Sequence, residues 1–321
     1  MESGSGTGPS PTGPHEEVPV EKDTRQPHGL AMSPDPTAEG EVHMPAQQQA
    51  WPGCEKQLTP PADHGEESYK GGGKLTGKKA VITGGDSGIG RAVAIAFARE
   101  GADVAIVYYN EHEDAQTTLK WIKEAGREGL TISGDLANRD HCREAIRQVV
   151  DEFGRIDILV NNAGVHFEIE DLEDLTPENL ERTFRTNVYA PLWLTQAALP
   201  HFGEGAVVIN TGSVQGLAPS PTLIDYAATK AAIHNLTKSL AQMLAPKGIR
   251  VNVVAPGPVW TPLIVSTRPE EKVEDFGADS LWKRPAQPAE LAPSFVFLAS
   301  ADSRYYTGEI LACTGLPDTT R

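Results

Sequence analysis

Lys79-Ala-Val-Ile-Thr83, then Gly84-Gly-Asp-Ser-Gly88-Ile-Gly90, then an apolar-periodic run from Arg91 to Glu100 read as strand, glycine-rich turn and helix in direct succession. The short apolar run fits a strand buried on both faces, and Gly101 stands where a helix C-terminus takes a glycine. A glycine-rich turn between a strand and a helix is the setting of a dinucleotide-phosphate site. Gly84 permits the tight turn, Gly88 lets a pyrophosphate approach the backbone, and Gly90 lets the helix pack close to the sheet. The N–H groups that open the helix face the phosphates, and Asp86, Ser87 and Ile89 complete the loop. The spacing Gly-x-x-x-Gly-x-Gly departs from Gly-x-Gly-x-x-Gly, so the assignment rests on context.

Outward from that turn the same alternation repeats. Strands are expected at Asp103–Tyr108, Leu130–Ser133, Asp157–Asn161, Ala206–Thr211, Arg250–Ala255 and Glu309–Cys313. Between them lie helical patterns at Glu113–Glu124, Arg139–Phe153, Pro177–Leu199, Asp225–Leu244 and Ala289–Ala299. Strands alternating with helices imply right-handed crossovers and a parallel sheet covered on both faces. The expected fold is therefore α/β: one doubly wound Rossmann domain over 75–321 with a seven-stranded parallel sheet. Residues 1–43 are rich in Pro, Gly, Ser, Thr and Glu and read as a disordered acidic tail. Residues 44–74, with Trp51, Leu58 and Tyr69 among Pro and Gly, read as an irregular packing arm.

Composition narrows the function. In 321 residues, 28 Lys and Arg stand against 44 Asp and Glu, a formal charge of −16 that disfavours nucleic acid and anionic membrane surfaces. No apolar run reaches the roughly 18 residues of a membrane span. Cys54, Cys142 and Cys313 are far apart and lack metal spacing, which fits a reduced, cytoplasmic protein; no secretory signal is visible.

Asn210 to Asn235 carries the chemistry. Ser213 follows an apolar strand, and Tyr226 and Lys230 share one helix face. A phenol titrates near 10, and an ammonium one turn away is expected to lower that value toward the working pH. Ser213 can hold a substrate oxygen. Two further segments end strands: Asn161-Asn162-Ala163-Gly164, where a cofactor ribose would pass, and Pro256-Gly257 with Val259 and Thr261, where a nicotinamide would lie. Each is also an ordinary turn sequence.

Together, Thr83-Gly-x-x-x-Gly-Ile-Gly90, Asn161-Asn-Ala-Gly164, Asn187, Ser213, Tyr226-x-x-x-Lys230 and Pro256-Gly257 resemble the short-chain dehydrogenase/reductase family. The arm (Trp51-Pro-Gly53, then Gly65-Glu-Glu-Ser-Tyr69) resembles a bacterial and plant subgroup often labelled glucose/ribitol dehydrogenase homologues. The resemblance implies Tyr226 as acid/base, with Lys230 lowering its pKa and holding the nicotinamide ribose. It implies Ser213 as orienter of the substrate oxygen and Asn187 as holder of a water that links Lys230 to solvent. Asp135 would accept from the adenine amino group, and Asn110 and Leu136 would border the adenosine. Residues 261–288 would form a mobile lid, and the last strand would meet its symmetry mate in a homotetramer or homodimer, although Gly315-Leu316 replaces the common Gly-Gly.

An acidic residue about 20 positions past the glycine turn suits NAD, and a basic one NADP. The second strand ends Tyr108-Tyr109-Asn110-Glu111 without Lys or Arg, and Ser87 is not basic, which favours NAD; NADP stays open through Arg91. The expected activity interconverts a secondary alcohol, with a sugar or polyol as first substrate, and a carbonyl. Two alternatives are a carbonyl reductase for hydrophobic ketones, served by a lid of Trp260, Phe276, Leu281 and Trp282, and a non-catalytic cofactor-binding regulator.

Overall fold

The computed structural model describes residues 42–316, the segment 35–37 and the single positions 1 and 4. The tail expected over 1–43 therefore lies almost wholly outside the described residues. Seven strands, β1 Lys79–Thr83, β2 Asp103–Tyr108, β3 Gly129–Ser133, β4 Ile156–Asn161, β5 Phe202–Thr211, β6 Arg250–Pro256 and β7 Ile310–Cys313, make one sheet. Every neighbouring pair is parallel, in the order β3-β2-β1-β4-β5-β6-β7. This is the doubly wound sheet that the sequence pattern predicts.

The strand period of two sorts the core into two layers. Ala80, Ile82, Val104 and Ile106 face one side with α1 (Gly88–Arg99), α2 (His112–Glu124) and, after the short α7 (Pro262–Thr267), α8 (Pro288–Ala299). Val81, Ala105, Val107 and Leu159 face the other with α3 (Arg139–Phe153), α5 (Ala190–Ala198) and α6 (Ile224–Leu244). Chain direction across the sheet reverses between β1 and β4, so a crevice opens there at the carboxyl ends of the strands. No helix among the described residues is long and apolar enough to cross a membrane.

Two boundaries differ instructively from the sequence reading. α1 begins at Gly88 rather than Arg91. The expected helix Pro177–Leu199 divides into α4 (Pro177–Phe184) and α5, joined by a widened turn, Arg185–Tyr189, in which Ala190 N–H reaches back five residues to Arg185 O. Pro191 explains the turn, because it has no N–H to return to Asn187 and its ring crowds that carbonyl.

The arm from 42 to 74 wraps the edge of this body. Alanines 92, 94, 96 and 98 leave α1 buried nearly all round, and Gly71 lies so close to it that a Cβ would meet Arg99 O at 1.9 Å. Tyr69 donates to Glu100 Oε1 at 2.6 Å, and the Gly72 and Lys74 amides donate to Glu100 Oε2. Trp260 is fully buried with Met44 and Leu58 of the arm, its indole N–H donating to Pro60 O at 2.8 Å. The sequence reading set Trp260 over the substrate; the arm takes it instead.

A buried ion cluster completes the docking. His64 touches Glu55 at 3.2 Å and Glu66 at 3.1 Å, and Glu55 Oε2 accepts the Gly88 amide at 2.7 Å. Burial alone would lower His64, but the two carboxylates outweigh it and push it up to about 8. Glu66 is held near 2 by the same histidine against the opposing effect of burial. With His64 raised in the fold, its contribution to stability is complete below its ordinary value near 6.5 and is lost as pH rises through about 8. We expect thermal melts to show wild-type stability falling by on the order of a kcal/mol between pH 6 and 9 through this group. His64→Gln should lose that slope; an unchanged slope would remove the histidine from the account.

Candidate active site

The crevice holds two cavities, of about 370 Å³ and about 130 Å³, and Gly84, Ser87, Ala163, Gly164 and Leu263 border both. They are two halves of one groove. Its floor is the loop between β1 and α1, where Gly84 (φ +62°) and Gly88 (φ +49°) take backbone angles that a Cβ would strain. At Gly90 a Cβ would stand 1.9 Å from Gly84 O, so the helix approaches the loop as closely as backbones allow. Bare backbone, the start of a 12-residue helix and a groove alongside fit the pyrophosphate of a dinucleotide.

Asn162 fixes this floor. Its side-chain amide donates to Thr83 O at 3.1 Å and Gly84 O at 3.3 Å, while its oxygen accepts from Thr211 at 3.2 Å. Thr83 Oγ1 accepts from the amides of Asn162 and Ala163. Residues expected to line a ribose thus also hold together the ends of β1, β4 and β5. Gly257 is required by packing, since a Cβ there would meet Thr314 O at 2.2 Å.

The larger half brings together Ser213, Tyr226, Lys230, Gly164, Pro256, Gly257, Val259 and Thr261. Lys230 Nζ donates to Thr211 O at 2.7 Å and lies 5.3 Å from the Tyr226 ring centre. Burial pushes the Tyr226 phenol up to about 12, with the Ser213 hydroxyl pulling the other way, and burial brings Lys230 down to about 8. The sequence reading expected the lysine to lower the phenol; desolvation of both groups is the larger effect here. Asn187 sits in the widened turn, its Oδ1 accepting from Val165 N at 2.9 Å and its Nδ2 donating to Val165 O at 2.8 Å and Thr229 at 3.1 Å. Its side chain thereby positions the loop after β4.

Around the reacting end stand polar groups that the motifs do not include: His166, Gln215, Arg268, Asp275 and Asp279. His166 lies 5.1 Å ring to ring from Tyr226, and burial with the nearby Arg268 and Lys230 charges lowers it to about 3, so it is neutral. Arg268 covers the Phe276 ring and faces Glu168 at 3.6 Å. Only its place two residues after Asn-Ala-Gly could have flagged His166.

The smaller half is walled by Asp86, Ser87, Asp135 and Leu136 as expected, but also by Trp51, Tyr109, Glu111 and Arg182. Asn110 lies outside both cavity walls, because past β2 the chain turns its neighbours Tyr109 and Glu111 to the groove. Arg91 points inward, donating to Asp86 O at 2.8 Å and pairing with Asp114 at 3.3 Å, so it braces the loop from behind. Burial raises Asp86 to about 6.

Residues 84–315 match a family model described as enoyl-(acyl carrier protein) reductase. General stress protein 39 of Bacillus subtilis is 50% identical over 273 residues, 85% of this chain and 96% of that one. The glucose and ribitol dehydrogenase of Daucus carota is 45% identical over 284 residues, 87% of this chain and 98% of the relative. Among solved structures, a short-chain dehydrogenase from Burkholderia cenocepacia in complex with NADP superposes with a TM-score of 0.71. It is 35% identical and covers 75% of this chain and 98% of its own.

Since Asn162 ties three strand ends, Asn162→Leu should cost about 1–3 kcal/mol in denaturant unfolding through the polar groups it strands. It should also raise the KM of whichever dinucleotide the groove takes; normal stability and KM together would show the tie to be dispensable.

Proposed function

Because the chain belongs to the short-chain dehydrogenase/reductase family, we propose that it interconverts a sugar or polyol alcohol and the corresponding carbonyl, with NAD as the preferred cofactor. NAD(P)-dependent oxidoreduction at a CH–OH group is the activity of that family, and the finer reading rests on the walls of the groove. The observation that carries it is the polar ring of Gln215, Arg268, Asp275 and Asp279 beside Tyr226. These groups suit a substrate with several hydroxyls. Of the four lid residues behind the rival reading of a hydrophobic ketone, Phe276 alone lines the cavity: Trp260 is buried under the arm, and Leu281 and Trp282 are exposed outside its walls.

When bound, the nicotinamide gives or takes the hydride. Tyr226, beside Ser213 in the cavity, moves the proton on the substrate oxygen, and Lys230 anchors the ribose side from Thr211. With the phenol near 12, Tyr226 is protonated at neutral pH and ready to donate in the reductive direction. Oxidation needs the phenolate, whose fraction rises about tenfold per pH unit below that value.

NAD is favoured because Asp86, Glu111 and Asp135 wall the adenosine half, and Arg182, the one cation among the described residues there, already pairs with Asp135 at 2.6 Å. A 2′-phosphate would enter a field of carboxylates. A homotetramer or homodimer in a reducing, cytoplasmic setting belongs to the same reading. It is supported by β7 as an edge strand with unpaired backbone and by three free cysteines. Sedimentation as a monomer, or fractionation outside the cytoplasm, would remove those parts.

Turnover followed by nicotinamide absorbance tests the whole. We expect oxidation of a polyol or sugar to speed up from pH 7 to 10 while carbonyl reduction stays level. Tyr226→Phe should lose about 10²–10⁴-fold in kcat while still binding cofactor. KM for NADP should exceed that for NAD at least tenfold. Full activity of Tyr226→Phe would end the mechanism, and cofactor binding without any turnover would favour the regulator.

A further inference from the structure

Resting on the dinucleotide reading, we propose that Trp51 of the arm and Arg182 of α4 are additional cofactor-binding residues that close over the adenosine half of the groove. The Trp51 ring lies 5.3 Å from that of Tyr109 and 6.2 Å from that of Phe167. The Arg182 guanidinium carbon sits 5.3 Å from the Trp51 ring centre and 5.4 Å from that of Tyr109, and Arg182 Nη1 reaches Asp135 Oδ2 at 2.6 Å. Three separate segments, the arm, the chain just past β2 and α4, thus bring the Trp51 and Tyr109 rings and one planar cation to a single cavity mouth, with Phe167 of the loop after β4 beside Trp51.

Aromatic faces and guanidinium planes are the surfaces on which a purine base stacks, with little dependence on its identity. They could instead be an ordinary core corner, but Trp51 belongs to none of the buried apolar clusters, and Tyr109 is 40% exposed. Both rings border the cavity of about 130 Å³ together with Asp135 and Leu136.

The arm is fixed on either side of the indole by contacts that do not use it. Gln49 N–H donates to Val265 O at 2.8 Å, and Ser266 Oγ donates to Pro52 O at 3.1 Å. Gly53 packs so tightly that a Cβ would meet Pro262 O at 2.8 Å, and the Glu55 amide is bound by Asp114 at 2.8 Å. The indole is held over the groove by its neighbours' backbone. Trp51 can therefore be changed while the arm stays seated.

The test uses the full-length protein and calorimetric titration with NAD and with 5′-AMP, the latter probing the adenosine half alone. Trp51→Ala and Arg182→Ala are each expected to weaken both nucleotides, the tryptophan variant by about tenfold or more. Trp51→Phe, which keeps a ring, should restore most of the affinity. In turnover the loss should fall on the cofactor KM rather than on kcat. Unchanged 5′-AMP affinity in both alanine variants, with melting temperatures near wild type, would overturn the proposal. A wild-type protein that binds neither nucleotide would overturn the dinucleotide reading beneath it.

Discussion

Everything at the site depends on how closely α1 meets the turn before it. Gly90 lies against the Gly84 carbonyl with no room for even one methyl group, so the helix start and the end of β1 form a single rigid corner. That corner sets the direction of the first helical amides and the depth of the groove. Asn162 then laces it to β4 and β5, and Arg91 braces it from beneath through Asp86 and Asp114. The candidate catalytic side chains arrive from the other half of the sheet, Ser213 just past β5 and Tyr226 and Lys230 on α6.

The arm extends this logic rather than decorating it. A helix of alternating alanines has no polar face to offer water, and α1 is covered on its outer side by residues that precede the sheet in sequence. Through Glu55 the arm also holds the first amide of that helix, and through Trp51 it reaches the groove mouth. Packing and site construction are here the same set of contacts.

Much of this was legible in the sequence. Strand runs such as Asp103-Val-Ala-Ile-Val-Tyr108 are apolar on both faces, which a parallel sheet demands, and the glycine turn announced its own geometry. What local pattern could not give were directions. Nothing in Tyr109-Asn110-Glu111 says which neighbour faces the groove, and a buried Arg91 looks no different on paper from a ligand-facing one. The Tyr226–Lys230 pair was visible, but the balance between mutual charge and shared desolvation depends on three-dimensional burial. Pro191 was a missed local signal: four residues after Asn187, it marks the widened turn.

The arm's attachment also sets an order of events during synthesis. Asp63 bonds Gln287 and Ala289, more than two hundred residues later, and Trp260 closes over Pro60. The segment made before the sheet is thus among the last to find its partners, because part of its docking surface does not exist until α8 has left the ribosome. Until then the alanine face of α1 stays uncovered, at the stage when exposed apolar surface is most open to wrong association. Contacts of such long sequence separation make closure of the arm a late step of folding.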